Sequence, residues 1–432
     1  MSAQTDARRP ADRTHSRRRG GVLDGGLSRL GTDGEGNLAR ALSHPLSDYY
    51  LVLASSTLLV GLGVLMVLSS SSVWSSVTNQ GDAYYYLVRQ IVFLCVGVPS
   101  AWWLSRRNYS VLMVFGWIGM VLSILLLVLV FTPLGVESFG NRAWLSVGVL
   151  GTIQPSEFAK ASLVLWSAAV LANRSKSLSD PKRLLLPFLI GFGVIEGLVL
   201  LQHDVGTALI IGMIMFAMLW FVGAPVRVMA ALAGVAALGV GALVVTDPER
   251  MNRIFSFMDP SVASSDQPMN AIYALASGGW WGLGLGASRQ KWGGLYNGAQ
   301  TDYVFAVLGE EMGLIGSLFV LLLFFVLGFA GLRIAARSTN KFLGYAAVGM
   351  TAWIVVQAMI NIFVVMRLLP VVGVPLPFLS QGGSALLANL IAVGVLLSAA
   401  RQEPGAARLL ASGPKARQPR LISVIDAPRG RN

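Results

Sequence analysis

Residues 298–332 read GAQTDYVFAVLGEEMGLIGSLFVLLLFFVLGFAGL. About 20 apolar residues at ~1.5 Å each carry a helix across the ~30 Å hydrocarbon layer of a bilayer, and the run from 303 to 332 exceeds that length. It reads as a membrane-crossing helix that is strongly tilted or made of two pieces. Yet Asp302, Glu310 and Glu311 stand at its beginning. An ionisable group in a span costs a few kcal/mol on insertion scales, so each needs a partner or a purpose.

The whole chain has the same character. Of its 432 residues 54% are hydrophobic and 12% charged, with a mean hydropathy of +0.65, far from the composition of soluble globular proteins. The expected fold class is an all-α polytopic membrane protein. Apolar runs between charged or Pro/Gly-rich breaks give ten transmembrane helices, at 49–71, 85–104, 110–131, 155–173, 184–201, 206–222, 226–246, 303–332, 342–366 and 383–400. Residues 1–48 are rich in Arg, Gly, Ser and Asp, lack an apolar core of signal-peptide length, and read as a disordered basic tail. Residues 401–432 form a second basic tail, so the membrane domain is 49–400. A single cysteine, Cys95, leaves neither a disulfide framework nor a thiolate metal site to argue from.

Positive residues resist translocation, so they fix the orientation. With the N-terminus in the cytoplasm, the inner loops receive Arg106, Arg107, Arg174, Lys176, Lys182, Arg183, Arg227, Arg333, Arg337 and Lys341, and the C-terminus is cytoplasmic too. The outer segments 72–84 and 202–205 carry no Lys or Arg, and 132–154 carries only Arg142. The exception is the large outer loop 247–302 between helices seven and eight, with Arg250, Arg253, Arg289 and Lys291; long loops translocate largely regardless of charge. Its Trp, Tyr, Met and Gly content argues for short helices and turns folded on the outer face rather than for disorder. The aromatics suit either an interfacial belt or a sugar- or lipid-facing cleft. The net charge of +12 fits membrane topology and anionic headgroups better than nucleic acid.

Other intramembrane charges are few. Glu157 and Lys160 stand three apart on one helical face and can pair with each other. Pro155 suits the first turn of that helix. Arg89 and Glu196 lack local partners and are expected to pair across helices or face a polar cavity, while Asp204 lies at a helix break near the depth of Glu157 and Lys160. Together they suggest a polar pocket opening outward. Asp302 sits where the long loop meets span eight, and partial desolvation there would make it a better proton acceptor. A plain helix start, with Thr301 or Asp302 as N-cap, explains the local sequence at least as well. No P-loop is present, so no nucleotide is indicated, and His15, His44 and His203 are too scattered for a zinc site.

At these residues the chain resembles the SEDS family (shape, elongation, division and sporulation) of membrane glycosyltransferases, the FtsW and RodA proteins of bacterial cell-wall synthesis. The resemblance covers nearly all of 49–400. It rests on IQPSEFAK (153–160), LLQHDVGTALI (200–210), GGWWGLGLGASRQKWGGLYNGAQTDYVFAVLGEEMGLIGS (278–317) and VPLPFLSQGGSALLANL (374–390). It implies polymerisation of lipid II into glycan strands at the outer face of the cytoplasmic membrane, with release of undecaprenyl pyrophosphate. Asp302 matches the family's essential acidic residue and would be the general base, or a ligand of a divalent cation, Mg or Mn. Glu157 and Lys160 match the family's charged pair. Arg142, Arg253, Arg289 and Lys291 are candidates to meet pyrophosphate, and Asp204, Gln300 and Ser380 complete the candidate substrate-binding set. Gln300 stands where the family often has His before Thr-Asp, Gln381 where Tyr commonly follows the Ser of the last motif, and His203 where Pro precedes Asp. Family membership implies a class B penicillin-binding protein transpeptidase as partner. The long basic N-tail favours the division branch, at the septum, where the tails would engage other divisome proteins. The rival readings are a lipid II flippase and a noncatalytic scaffold that recruits the transpeptidase.

Overall fold

The computed structural model describes residues 44–138, 141–148, 151–174, 181–246, 248–258, 267–295 and 298–412. Residues 1–43 and 413–432, most of both tails, lie outside the described residues, and with them the tail-mediated contacts expected above. The apolar runs form α1 (Ser47–Thr78), α2 (Tyr85–Ser105), α3 (Tyr109–Leu129), α4 (Pro155–Arg174), α5 (Pro181–Leu201), α6 (Val205–Val222) and α7 (Val226–Thr246). Then come α8 (Pro248–Met258) and α9 (Gln267–Gly278), a 3-10 turn at Gln290–Trp292, α10 (Val304–Arg337), α11 (Lys341–Val365), α12 (Gly383–Arg401) and the short α13 (Pro404–Ala411). Among the described residues seven helices are long and apolar enough to cross a membrane: α1, α2, α3, α6, α10, α11 and α12. α4 carries Glu157, Lys160 and Arg174, and the apolar parts of α5 and α7 are shorter, 185–201 and 226–242. The protein is thus an all-α polytopic membrane protein.

Sequence punctuation sets the ends. Asp204 caps α6 by accepting from the Thr207 backbone N–H at 3.0 Å, and Gly223 closes that helix in the left-handed conformation. Asn340 caps α11 through Phe342 N–H. One element departs from the all-helical expectation. Within 132–154, strands β1 (Gly135–Ser138), β2 (Asn141–Ser146) and β3 (Thr152–Ile153) form an antiparallel sheet in the order β1-β2-β3, with Val136 opposite Trp144 and Leu145 opposite Ile153. Strands this short leave no usable alternation in sequence.

The long run that begins at residue 303 is indeed two pieces. Gly313 breaks α10 with φ 67°, ψ −165°, a backbone open only to glycine. The freed groups are taken by the strap 279–284: Leu283 N–H donates to Glu310 O (2.9 Å), Gly284 N–H to Glu311 O (3.0 Å), and Leu314 N–H to Gly279 O (2.8 Å). A non-helical turn at this depth is viable because its polar groups bond within the protein.

α4, α11 and α12 form the centre of the bundle. α4 packs on α3, α5 and α11; α11 on α6, α10 and α12; α12 on α2 and α1. α7 stands apart with most of its residues exposed.

Candidate active site

The turn before α10 is clamped by three donors from the last loop and α11. Gln381 N–H donates to Gln300 O (2.8 Å), Ser380 Oγ to Thr301 O (2.6 Å), and Asn361 Nδ2 to Asp302 O (2.8 Å). Asn361 Nδ2 also reaches Val374 O at 2.8 Å, so one amide ties the Asp302 turn to the 374–381 loop. Ser380 Oγ in turn accepts from Leu376 N–H. Three consecutive carbonyls are thereby fixed, and with them the stretch of backbone that carries the half-buried Asp302. The N-cap of α10 is Tyr303, without a side-chain cap bond, so neither Thr301 nor Asp302 fills the cap position.

Beside this turn lies a cavity of about 150 Å³, below the roughly 300–1,000 Å³ of typical ligand pockets and suited to a fragment such as a phosphate. It is walled by Tyr86, Arg89 and Gln90 of α2, Trp144 and Thr152 of the sheet, Thr301, and Gln381 to Ser384. Arg89 finds its cross-element partner here: Nη2 donates to Thr152 O at 3.0 Å, while Nε is buried without one. Its guanidinium lies against Gly151, where a Cβ would come within 2.8 Å of Nη2. Glu196, by contrast, keeps a buried Oε2 with no hydrogen-bond partner.

Glu157 and Lys160 do pair, at 2.8 Å, and both are almost fully buried. Lys160 Nζ also donates to Gln357 Oε1 (2.9 Å), which accepts from Trp353 Nε1 as well (2.8 Å), and the ammonium sits 5.0 Å from the Trp353 ring centre. Gln357 Nε2 donates to Pro375 O at 2.9 Å. On α11 Gln357 and Asn361 are one turn apart, so the charged pair and the Asp302 turn are tied to neighbouring carbonyls of one loop. Asp204 is buried, accepting from Thr207 Oγ1 (2.8 Å) and Gln154 Nε2 (3.0 Å). Gln154 N–H reaches Ser384 Oγ at 3.3 Å, which links the starts of α4, α6 and α12.

The other cations expected at the outer face are placed differently. Lys291 is buried, ion-paired to Glu311 Oε1 (2.9 Å) and donating to Ser69 Oγ and Gly286 O. Glu311 accepts from Ser69 Oγ too, and Glu310 from Ser288 Oγ (2.6 Å) and Arg289 N–H (3.0 Å). The two acids that looked out of place therefore anchor the loop ahead of α10 to α1 and to the break at Gly313. The Arg289 side chain is exposed. Arg142, exposed on β2, donates to Thr132 O at 2.8 Å and holds the sheet. Arg253 falls on α8, and its side chain lies outside the described residues.

The profile of the FtsW, RodA and SpoVE cell cycle proteins matches residues 49–404. The chain belongs to the FtsW/RodA/SpoVE family. It is 35% identical over 387 residues, 89% of this chain and 73% of the relative, to the probable peptidoglycan glycosyltransferase FtsW of Mycobacterium tuberculosis. It is 36% identical to the stage V sporulation protein E of Bacillus subtilis over 81% of this chain and 96% of that one. Among solved structures it is similar to a chain of a peptidoglycan synthase complex that coordinates polymerization and crosslinking (TM-score 0.66, 26% identity, 84% of this chain and 99% of that one). It is also similar to the rod shape determining protein RodA of Thermus thermophilus (TM-score 0.58, 26% identity, 84% and 98%).

In this FtsW/RodA/SpoVE family member the sequence signal for Arg89 was its solitary charge in an apolar helix, which called for a partner on another helix or a polar cavity without naming it a site residue. Gln357 and Asn361 carried no such signal. Among the described residues no three of His, Cys, Asp and Glu gather as metal ligands. A magnesium-like ion that keeps water and substrate phosphate as most of its ligands needs only one or two carboxylates, and the half-exposed Asp302 fits that demand.

Proposed function

We propose that the protein is a peptidoglycan glycosyltransferase that polymerises lipid II at the outer face of the bacterial cytoplasmic membrane during cell division. The observation that carries this reading is the clamp on the carbonyls of Gln300, Thr301 and Asp302 beside the Arg89 cavity. Preorganisation of this kind lets one carboxylate act on a substrate in a fixed pose. Asp302 takes the proton from the acceptor sugar 4-hydroxyl as that oxygen bonds to the donor anomeric carbon. The bond from that carbon to the pyrophosphate oxygen breaks, undecaprenyl pyrophosphate leaves, and the anomeric centre inverts. Arg89, with no carboxylate partner among the described residues, is apt to meet the pyrophosphate. The exposed Arg142 and Arg289, and Arg253, remain proposed as guides at the mouth, whereas Lys291 acts by fixing the loop. Asp302 would hold a divalent cation, Mg or Mn, whose charge offsets that of the pyrophosphate.

The ten-helix topology, with both ends cytoplasmic and 247–302 outside, is proposed with this function, on the distribution of Lys and Arg. A solved relative comes from a complex coordinating polymerization and crosslinking, which supports a class B penicillin-binding protein transpeptidase as partner.

The test is reconstitution with the candidate transpeptidase, labelled lipid II and a divalent metal. Glycan polymer is expected from the wild type, and polymer falling by at least about a hundredfold from Asp302→Asn and Asp302→Ala, with the complex still assembled. Robust polymer from both variants overturns the assignment of the base. Movement of lipid II across vesicles without polymer identifies a flippase, and function that survives Asp302→Ala but is abolished by truncating the tails identifies a scaffold.

A further inference from the structure

We propose that the turn between α2 and α3 is a binding site for the phosphodiester of an anionic phospholipid, in the leaflet opposite the Asp302 end of the bundle. Arg89 lines the cavity near the start of α2, and the 16 residues from there to Ser105 carry the helix roughly 25 Å away. The stretch AWWLSRRNYS, 101–110, then places Trp102 one turn before Arg106 and Trp103 one turn before Arg107. Each guanidinium lies on the indole below it, the carbon of Arg106 3.8 Å and that of Arg107 4.0 Å from the ring centres. Stacking occupies the flat face of an arginine and leaves its N–H edge for a second partner. None is supplied: neither side chain has an ion pair or hydrogen-bond acceptor among the described residues, and Arg107 Nε is buried with its proton unshared.

The surroundings point to an anion. No Asp or Glu occurs between residues 83 and 136, and Glu403, next to the Gln402 that holds the turn, interacts with Asp48, Arg333 and Arg337 instead. α3 begins immediately after the turn, and its N-cap, Asn108, makes no side-chain bond, so the positive end of that helix adds to the two cations. The turn itself is rigid, because Arg107 O accepts from Ser398 Oγ (2.8 Å) and Gln402 Nε2 (3.2 Å) while Tyr109 N–H donates to Gln402 Oε1 (3.1 Å). Two planar forks, each stacked on an indole, suit the oxygens of a phosphate.

The apolar wall selects a lipid over a free anion. Trp102 and Trp103 are 55% and 39% exposed, Phe115 packs edge-on to Trp103 at 5.7 Å, and Val98, Val111 and Val114 continue the exposed surface. A phosphate seated on the arginines would carry acyl chains down this wall, with the indoles at headgroup depth.

The experiment is native mass spectrometry of the full chain released from bilayers of equal phosphatidylglycerol and phosphatidylcholine. The wild type should retain phosphatidylglycerol selectively, and R106Q/R107Q should retain on the order of thirtyfold less, about fivefold for each cation. W102L/W103L, which keeps the charges, should lose an intermediate amount, and millimolar inorganic phosphate should not compete. Should R106Q/R107Q fail to fold, R106K/R107K, which keeps charge but loses the fork, should also fall below the wild type. Equal retention of the two lipids by the wild type, or unchanged retention by the folded arginine variant, overturns the proposal by reducing the turn to an ordinary interfacial anchor. Displacement of the lipid by inorganic phosphate overturns it in favour of a free-anion site.

Discussion

Lys160 has three neighbours that fix it, the Glu157 carboxylate, the Gln357 amide and the Trp353 ring, and their value lies in what is left when one is removed. Lys160→Met would strand an ionised Glu157 in the bundle, at a cost of roughly 3–5 kcal/mol. The double variant E157Q/K160M removes both charges and should recover much of that loss, so its thermal midpoint should lie above that of K160M; the opposite order would mean that the pair is not coupled. Asn361 acts on Asp302 through one backbone carbonyl. Asn361→Ala leaves the Asp302 and Val374 carbonyls without their donor, about 1–3 kcal/mol each if they stay dry. If the clamp positions the base, kcat should fall by roughly a hundredfold with KM little changed; a KM effect alone would make Asn361 a packing residue. The charged members of this site were legible in the sequence because a charge in an apolar helix demands an explanation. Neutral amides make no such demand, and the carbonyls that Asn361 holds belong to residues 13 and 59 positions away. Lys291 was legible as a cation but not in its direction, since its partner Glu311 stands 20 residues further along the chain, in the first piece of α10 just ahead of the break.

At the scale of elements, the apolar runs announced the helices well, because a bilayer-length stretch of Leu, Val, Ile and Phe has few other uses. The break at Gly313 was harder to see: a glycine in an apolar run is ordinary, and its left-handed φ is required only because the strap 279–284 bonds across it. The same holds for Gly63 on α1. A Cβ there would run into the carbonyl of Phe378, itself at φ 67°, in the loop that delivers Ser380 and Gln381 to the Asp302 turn. Gly63→Ala must push α1 and that loop apart, an overpacking cost of about 1–3 kcal/mol, and should cut polymerisation by an order of magnitude or more. Gly61, on the same helix with open space around its Cβ position, is the control: Gly61→Ala should leave both thermal midpoint and polymerisation near the wild type. Equal behaviour of the two variants would show that the approach of α1 to the loop does not matter to the site.

At the scale of the whole molecule, the two ends of the bundle's chain are pinned together far from the site. Asp48 at the start of α1 is paired at 3.2 Å with both Arg333 and Arg337 at the end of α10, and Gly405 of α13 packs on Pro45. Glu403, just ahead of α13, is buried in the same cluster with an unshared Oε1. Burial pushes its carboxyl up to about 7, Asp48 adds to the rise, and Arg337 and Arg333 oppose it without cancelling it. The folded protein therefore holds a proton that the unfolded chain, ionising near 4.5, gives up earlier. Stability from this group is complete below pH 4.5 and is lost as pH rises through about 7. The thermal midpoint of the wild type should fall between pH 5 and pH 8 relative to that of Glu403→Gln, which has no proton to lose there. Parallel curves for the two proteins would mean that the cluster already accommodates the ionised acid, with the arginines outweighing its burial. A widening gap would mean that the junction of the two tails loosens near neutral pH, at the opposite end of the bundle from Asp302.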